Sequence, residues 1–380
     1  SYVNSENEEK AKKAVEEIWP NSHVTVSSEI LPEIREYERA STATLNAFLQ
    51  PPVSDYLETL EKSLEKRDFR GQVLIVQSNG GVMNLERAKT LPVRTALSGP
   101  AAGVIAAGYI GTVAGYPNII SCDMGGTSFD VSLIVNGESS LAAQSSIGFG
   151  MVVRTPMVEI VTIGAGGGSI ARVDEGGLLQ VGPESAGSNP GPACYGLGNT
   201  APTVTDANVL LGRINSENPI GGKLDKLDIE AAKRAIKTEV ADPLGIDVFE
   251  AADAILRVAN GKMANAIRLV SVERGYEPGT FAAMPFGGGG ALHAGALIKE
   301  VGLDCALVPR FPGITSALGC VIADVRYDQV QTINDSLETL DLVSLENQMV
   351  TYCKEGHQVL DRSGSTLENR TELFELDMLY

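Results

Sequence analysis

The residues best suited to chemistry lie in the run Asp123-Met124-Gly125-Gly126-Thr127-Ser128-Phe129-Asp130, which joins two apolar stretches, 118–122 and Phe129–Val135. Adjacent glycines let backbone N–H groups face an anion without Cβ obstruction, and Thr127 and Ser128 add hydroxyl donors. A carboxylate repels phosphate, so Asp123 at a strand end suits Mg²⁺, held mostly through waters. The same run is equally the makeup of an ordinary tight hairpin, with Asp and Gly at common turn positions.

Two further glycine turns follow strand-like stretches. One is Gly164-Ala165-Gly166-Gly167-Gly168-Ser169; the other, Gly287-Gly288-Gly289-Gly290, opens a helix. A glycine approach to a helix N-terminus is a ready contact for a phosphate. Each turn alone is a weak signal, but three strand-ending turns, one headed by an Asp, make a stronger one. The nucleotide-binding set drawn from them is Gly125, Gly126, Thr127, Ser128, Gly166, Gly167, Gly168, Gly287, Gly288 and Gly289. No GxxxxGK[ST] occurs, which excludes a P-loop, and no turn has the context of a dinucleotide-binding GxGxxG.

Other residues carry two readings each. His293, on the first turn after the tetraglycine, either touches nucleotide or substrate or packs at a helix start. Asp206, with Asn208 in TVTDAN, either orients substrate or a metal-bound water or caps the following helix. Cys194 is either a substrate-side nucleophile or an inert loop thiol. Arg94, Arg268 and Arg274 are possible anion contacts, Arg274 being better placed to neutralise helix carbonyls. His23 and His357 have no motif around them. The segment 36–39 reads as a solvated or salt-bridged helix face. The catalytic candidates are thus Asp123, Asp206 and His293, with Asp123 also the metal candidate.

These residues need a scaffold of alternating strands and helices. Helices are expected over 5–18, with Ser5 and Glu8 at capping-box spacing, and over 33–48, 55–66, 99–114, 228–239, 249–274, 290–298 and 312–323. Strands are expected over 23–27, 72–77, 118–122, 129–135, 281–286 and 305–308, with a final one over 373–380. Asn136-Gly137 is a strong hairpin turn, so the sheet should be mixed and the class α/β. Of the 380 residues, 43% are hydrophobic and 21% charged, the balance of a globular chain, and 41 are glycine. The net charge of −18 argues against nucleic acid or an anionic membrane as partner. Five scattered cysteines without a CxxC argue against structural zinc and for a reducing cytoplasm. No signal peptide opens the sequence. The uncharged stretch 95–122 is broken by glycine and proline, so it reads as a buried helix and strand rather than a membrane span.

DMGGTSFDVSLI (123–134) resembles the second phosphate hairpin of the actin, sugar-kinase and heat-shock-chaperone ATPases. A longer succession resembles the hydantoinase A/5-oxoprolinase family: EYERAST (36–42), QSNGGVM (77–83), SGPAAG (98–103), DMGGTSFD, GAGGGSIA (164–171), VGPESAG (181–187), GPACYG (191–196), TVTDAN (203–208), SVERGY (271–276), FGGGGALHA (286–294) and SALG…ADVRYD (316–328). Order and spacing hold over about residues 20 to 330.

The resemblance implies an actin-like (ribonuclease H-like) ATPase fold with nucleotide in a cleft, using ATP and Mg²⁺. It implies phosphorylation of a carbonyl oxygen of a cyclic amide or imide, or of a related ketone, so that phosphate becomes the leaving group. An amide carbonyl is a poor electrophile, and the site must spread the developing charge over metal and backbone donors. A hydantoinase B-type subunit is the implied partner. Two departures stand out. The family's earlier Asp-x-Gly-Gly-Thr loop has no match before Asp123, so about one subdomain is expected to be missing upstream and both ends look cut; such a piece should not turn over alone. Where the family usually has Asp-Ile-His-Thr, this sequence has Glu159-Ile160-Val161-Thr162. The expected division is the remainder of a first lobe over 1–117, a second lobe over 118–328 and the start of a C-terminal domain over 329–380. The leading activity is a cytoplasmic ATP-dependent ring-opening hydrolase acting on a hydantoin, 5-oxoproline or lactam. The alternatives are the ATPase subunit of a ketone carboxylase, which shares every motif, and a non-catalytic actin-like switch, which the SNGG, VGPESAG, GPACYG and TVTDAN blocks disfavour.

Overall fold

The apolar strands and Ala/Gly-rich helices of the sequence assemble as two compact units that interleave along the chain. One unit comprises residues 1–98, 141–157 and 323–380; the other comprises 99–140 and 158–322. The computed structural model describes every residue except 1, 3, 22, 149, 220–223, 334, 365, 377, 379 and 380.

The second unit is built on a six-stranded mixed sheet, whose main path runs Val161–Ile163, Phe129–Val135, Ile119–Met124, Ala282–Phe286, Cys305–Ala306. Phe129–Val135 is antiparallel to both neighbours, and Ala282–Phe286 is parallel to both of its own. The Asn136-Gly137 turn forms as expected, both residues taking positive φ (54° and 84°). Alternation along Ile119–Met124 then sorts the side chains. Ile120, Cys122 and Met124 join the main core with the long helix Val248–Val270, while Ile119 joins Met284 and Phe286 beneath the helix Ser98–Val113. Each fully buried Ile or Phe there contributes about 1.5–3 kcal/mol. Asp123 shares the parity of Ile119 and so lies on the face covered by Ser98–Val113.

That helix is as free of charge as the sequence suggested, and its small residues have a definite use. A Cβ on Gly103 would meet the Phe286 ring and the Ser316 hydroxyl, each at 2.9 Å, and one on Gly319 would lie 1.8 Å from the Ala102 carbonyl. Glycine at these two points lets Thr315–Ile322 lie directly on Ser98–Val113. Among the described residues no helix is long and apolar enough to cross a membrane.

In the first unit the two helices expected over 33–48 and 55–66 are one, Glu36–Glu65, with Pro51 and Pro52 inside it. Asn46 and Gln50 both donate to the Thr90 carbonyl, at 3.1 and 2.9 Å, so tertiary anchoring carries the helix past the donors that proline lacks. Thr42, fully buried in EYERAST, accepts from the Arg154 N–H at 3.0 Å. Arg39 is 7% exposed and bonds Glu8 (3.0 Å) and Ser27 (2.7 Å), so this side of the motif is packed rather than solvated. Three further expectations fail. Ser5 caps nothing by its side chain: its hydroxyl donates to Glu9 instead, and the Glu8 carboxylate of the expected box is taken by Ser27, Ser28 and Arg39. The described part of 23–27 is not a strand, and Ser27–Ile30 starts a helical turn. The described part of 373–380 is not a strand; residues 377, 379 and 380 lie outside those described.

Candidate active site

Antiparallel pairing sets Asp123 directly opposite Asp130, on one face of the sheet and at the base of the 125–128 turn. Burial pushes the Asp123 carboxyl up to about 6, the Asp130 charge adds to the rise, and a hydrogen bond from Ser316 offsets part of it. Sequence reading had Asp130 inside the motif without a role and missed Ser316. The signal for Asp130 was present, since a four-residue turn between strands makes 123 and 130 cross-strand partners. Ser316 lies in SALG, far along the chain, and only the close helix packing brings it in.

The three glycine turns come together. Gly167 N–H donates to Gly125 O at 3.0 Å and Gly168 N–H to Gly126 O at 2.6 Å. A Cβ on Gly166 would lie 2.5 Å from the Thr127 backbone. Gly289 N–H donates to Met124 O at 3.1 Å, and a Cβ on Gly287, whose φ is +79°, would meet Asp123 Oδ1 at 2.3 Å. Gly166, Gly168 and Gly287 are therefore glycine because backbone lies against backbone, or against the carboxylate. Gly167 and Gly289 are also crowded, by Thr205 Oγ1 at 2.8 Å and Met124 Sδ at 3.1 Å, whereas a Cβ on Gly126 or Gly288 would meet nothing within 4 Å and one on Gly125 only the Ser128 carbonyl at 4.0 Å. Gly125, Gly126 and Thr127 are exposed. Among the described residues the N–H groups of Gly126, Thr127, Ser128 and Gly288 have no acceptor. Hydroxyls add to them: Ser128 Oγ is 3.3 Å from Asp130 Oδ2, and Thr127 Oγ1 is 3.4 Å from Ser185 Oγ.

The other two catalytic candidates sit in different surroundings. Asp206 is fully buried, and its carboxylate accepts from Ala193 N (3.1 Å), Cys194 N (2.7 Å), Thr203 N (2.8 Å) and Thr203 Oγ1 (2.8 Å). It completes a capping box on Val204–Leu210 and clamps the GPACYG loop, fully buried with both carboxylate oxygens bonded. The preceding residue, Thr205, donates to Gly167 O at 2.8 Å, so Asp206 acts on the glycine turns through that helix. His293 is 1% exposed, with Nδ1 2.7 Å from Asn260 Oδ1 and Nε2 buried without a partner among the described residues. Burial, with a smaller push from Arg213, lowers it to about 4; it is a neutral core imidazole. Cys194 is fully buried and its thiol is pushed far up, by burial and then by Asp206, into an inert state. Glu159, at the family's departure point, forms an ion pair with Arg274.

No group of three or more His, Cys, Asp or Glu among the described residues could hold a bare metal ion. Two adjacent carboxylates with open space beside them fit a hydrated Mg²⁺, which keeps most of its waters. A family model for hydantoinase/oxoprolinase matches residues 39–329. The chain belongs to the hydantoinase/oxoprolinase family. Among its relatives, the caprolactamase α subunit of Pseudomonas jessenii is 38% identical over 100% of this chain and 55% of its own length. The solved ATP-dependent caprolactamase of that organism superposes with a TM-score of 0.82 at 36% identity, covering 97% of this chain and 53% of its own. Nucleotide-free acetone carboxylase does so with a TM-score of 0.78 at 31% identity, over 96% of this chain and 53% of its own. The 5-oxoprolinase of Saccharomyces cerevisiae is 35% identical over 80% of this chain and 24% of its own length. The chain thus spans about half the length of the first curated relatives it matches. The expected actin-like α/β architecture, with mixed sheets flanked by helices, is the one it shares with the two solved enzymes.

Proposed function

We propose that this chain is the nucleotide-binding part of an ATP-dependent hydrolase that opens a cyclic amide or imide after phosphorylating its carbonyl oxygen. One observation carries the reading: four backbone N–H groups without an acceptor among the described residues, of Gly126, Thr127, Ser128 and Gly288, lie in the turns beside the Asp123–Asp130 pair, where the Cβ positions of Gly126 and Gly288 are open. Such donors suit phosphate oxygens, and the pair suits the cation that accompanies them. Asp123 and Asp130 would hold Mg²⁺, which supplies charge neutralisation for the phosphoryl group in flight. Gly126 and Thr127 bind, Ser316 orients the Asp123 carboxylate, and Gly166, Gly167, Gly168 and Asp206 fix the turn. His293 and Asn260 keep the helix after the tetraglycine in place.

The lactam reading draws on the caprolactamase and 5-oxoprolinase relatives. The second reading, an ATPase subunit of a ketone carboxylase, draws on the acetone carboxylase likeness. Relatives named as subunits support a partner chain, and a hydantoinase B-type subunit acting in the cytoplasm is our assignment. The test is ADP release by the full-length protein with its partner. ADP formed one-for-one with ring-opened product from hydantoin, 5-oxoproline or caprolactam supports the hydrolase. ADP formed only with a ketone and bicarbonate supports the carboxylase. ATP hydrolysis indifferent to all of them would point to a switch and end both.

A further inference from the structure

The SNGG and ADVRYD motifs lie in the first unit, where the proposed nucleotide chemistry gives them no work. Gln77, Ser78 and Asn79 are buried. Ser78 donates to the Arg94 carbonyl from its N–H at 2.7 Å and from its hydroxyl at 2.8 Å, and its hydroxyl also reaches Ala96 O at 2.6 Å. Arg94 is thereby fixed in the short helix Pro92–Thr95. A Cβ on Gly81 would lie 2.2 Å from that of Arg326, and Val82 N–H donates to Asp324 O at 2.8 Å. The 324–328 segment is therefore held against the turn, with the Tyr327 ring against Arg87 and Asp328 near enough to act electrostatically on Arg94.

The charges in this cluster do not balance. Asp328, the carboxylate nearest to hand, is already spent on Arg326 Nε at 2.9 Å and on the Asn79 amide. Arg87 lies 4.6 Å over the Tyr327 ring and makes no ion pair among the described residues. Arg94 makes no ion pair or side-chain hydrogen bond among them, and its Nε is sealed from solvent without an acceptor. Burial and the neighbouring Arg87 charge pull Arg94 below the ordinary guanidinium value, with Asp328 and Tyr327 opposing. A guanidinium cannot escape such a place by losing its proton, and an unpaired desolvated cation is costly to hold. Two neighbouring guanidinium groups without an ion pair among the described residues are all the more unusual in a chain of net charge −18. The side chain is still partly exposed, so a small ligand has access.

We propose that Arg94 and Arg87, framed by the 77–81 turn and the Tyr327 ring, form a binding site for a small oxyanion, a phosphate or carboxylate group. Two guanidinium forks offer the planar, paired donors such a group prefers. The site is not among the glycine turns and does not depend on their role. Titrating the protein with inorganic phosphate at constant ionic strength tests it, read by calorimetry as stoichiometry. Wild type is expected to take up one more equivalent than Arg94→Met, since phosphate at the glycine turns is common to both and cancels. Arg87→Gln should keep that equivalent with affinity weakened about tenfold, and it carries the test if Arg94→Met does not fold. Acetate that displaces this equivalent identifies a carboxylate site; phosphate retained against acetate identifies a phosphate site. Equal stoichiometry and affinity in wild type and both variants would overturn the proposal.

Discussion

Replacing Asp123 with asparagine should stabilise the ligand-free protein while removing its use for the cation. Asp123 rises from 3.8 to about 6 because burial and the Asp130 charge disfavour its ionised form. Its folded value therefore lies above its unfolded one. The stability from the neutral carboxyl is full below about pH 4 and is lost as pH rises through about 6. Two units correspond to about 3 kcal/mol, and partial exposure to water reduces this to about 1–2 kcal/mol. Asparagine keeps the shape and accepts from Ser316 without the charge. Thermal unfolding at pH 8 should then show Asp123→Asn melting about 2–8 °C above wild type, a gap that closes by pH 4 to 5. His293 titrates in both proteins and cancels. Mg²⁺ should raise the wild-type melting temperature at pH 8 and leave the variant unmoved. A variant less stable than wild type at pH 8, or a gap independent of pH, would refute the electrostatic account of the Asp123–Asp130 pair.

The two kinds of glycine should separate in one experiment. Gly126→Ala has room for its Cβ, so its melting temperature should stay within about 1 °C of wild type while its Kd for ATP rises about tenfold or more. Gly166→Ala drives a Cβ into the Thr127 backbone and should cost about 1–3 kcal/mol by denaturant unfolding. Asp206→Ala leaves buried N–H groups at 193, 194 and 203 without their acceptor and should cost about 3 kcal/mol or more; unchanged stability with lost turnover would restore a direct catalytic role. His293, lowered to about 4, contributes stability that is full above about 6.5 and lost as pH falls toward 4. Its imidazole NMR signals should stay those of the neutral ring from pH 8 to 5, and a midpoint near 6.5 would contradict its burial.

How far the sequence could be read depended on the distance over which each decision is made. The Asn136-Gly137 turn, the strands flanking Asp123 and the Ser98–Val113 helix are set within a few residues, by turn chemistry and by alternation of apolar side chains, and they formed where expected. The break expected between 48 and 55 did not occur, because Asn46 and Gln50 tie that helix to Thr90, some forty residues on. The glycine turns were visible as glycine turns, but their division of labour was not. A glycine needed for a phosphate and one needed for a neighbouring backbone look alike until the neighbour is placed, and Gly166 and Gly126 show the two cases. Likewise an Asp three residues after a Thr signals a cap or a catalyst equally; only the N–H groups of Ala193 and Cys194 decide for Asp206.

The bonds from Gly167 and Gly168 to the carbonyls of Gly125 and Gly126 carry a consequence for direction. In a trans peptide plane the oxygen and the following amide hydrogen point to opposite sides. Tethering the oxygens of residues 125 and 126 from below therefore aims the hydrogens of 126 and 127 upward and keeps those planes from flipping. The buried turn works as a jig: by holding those two peptide planes it sets the angle of the amides above it.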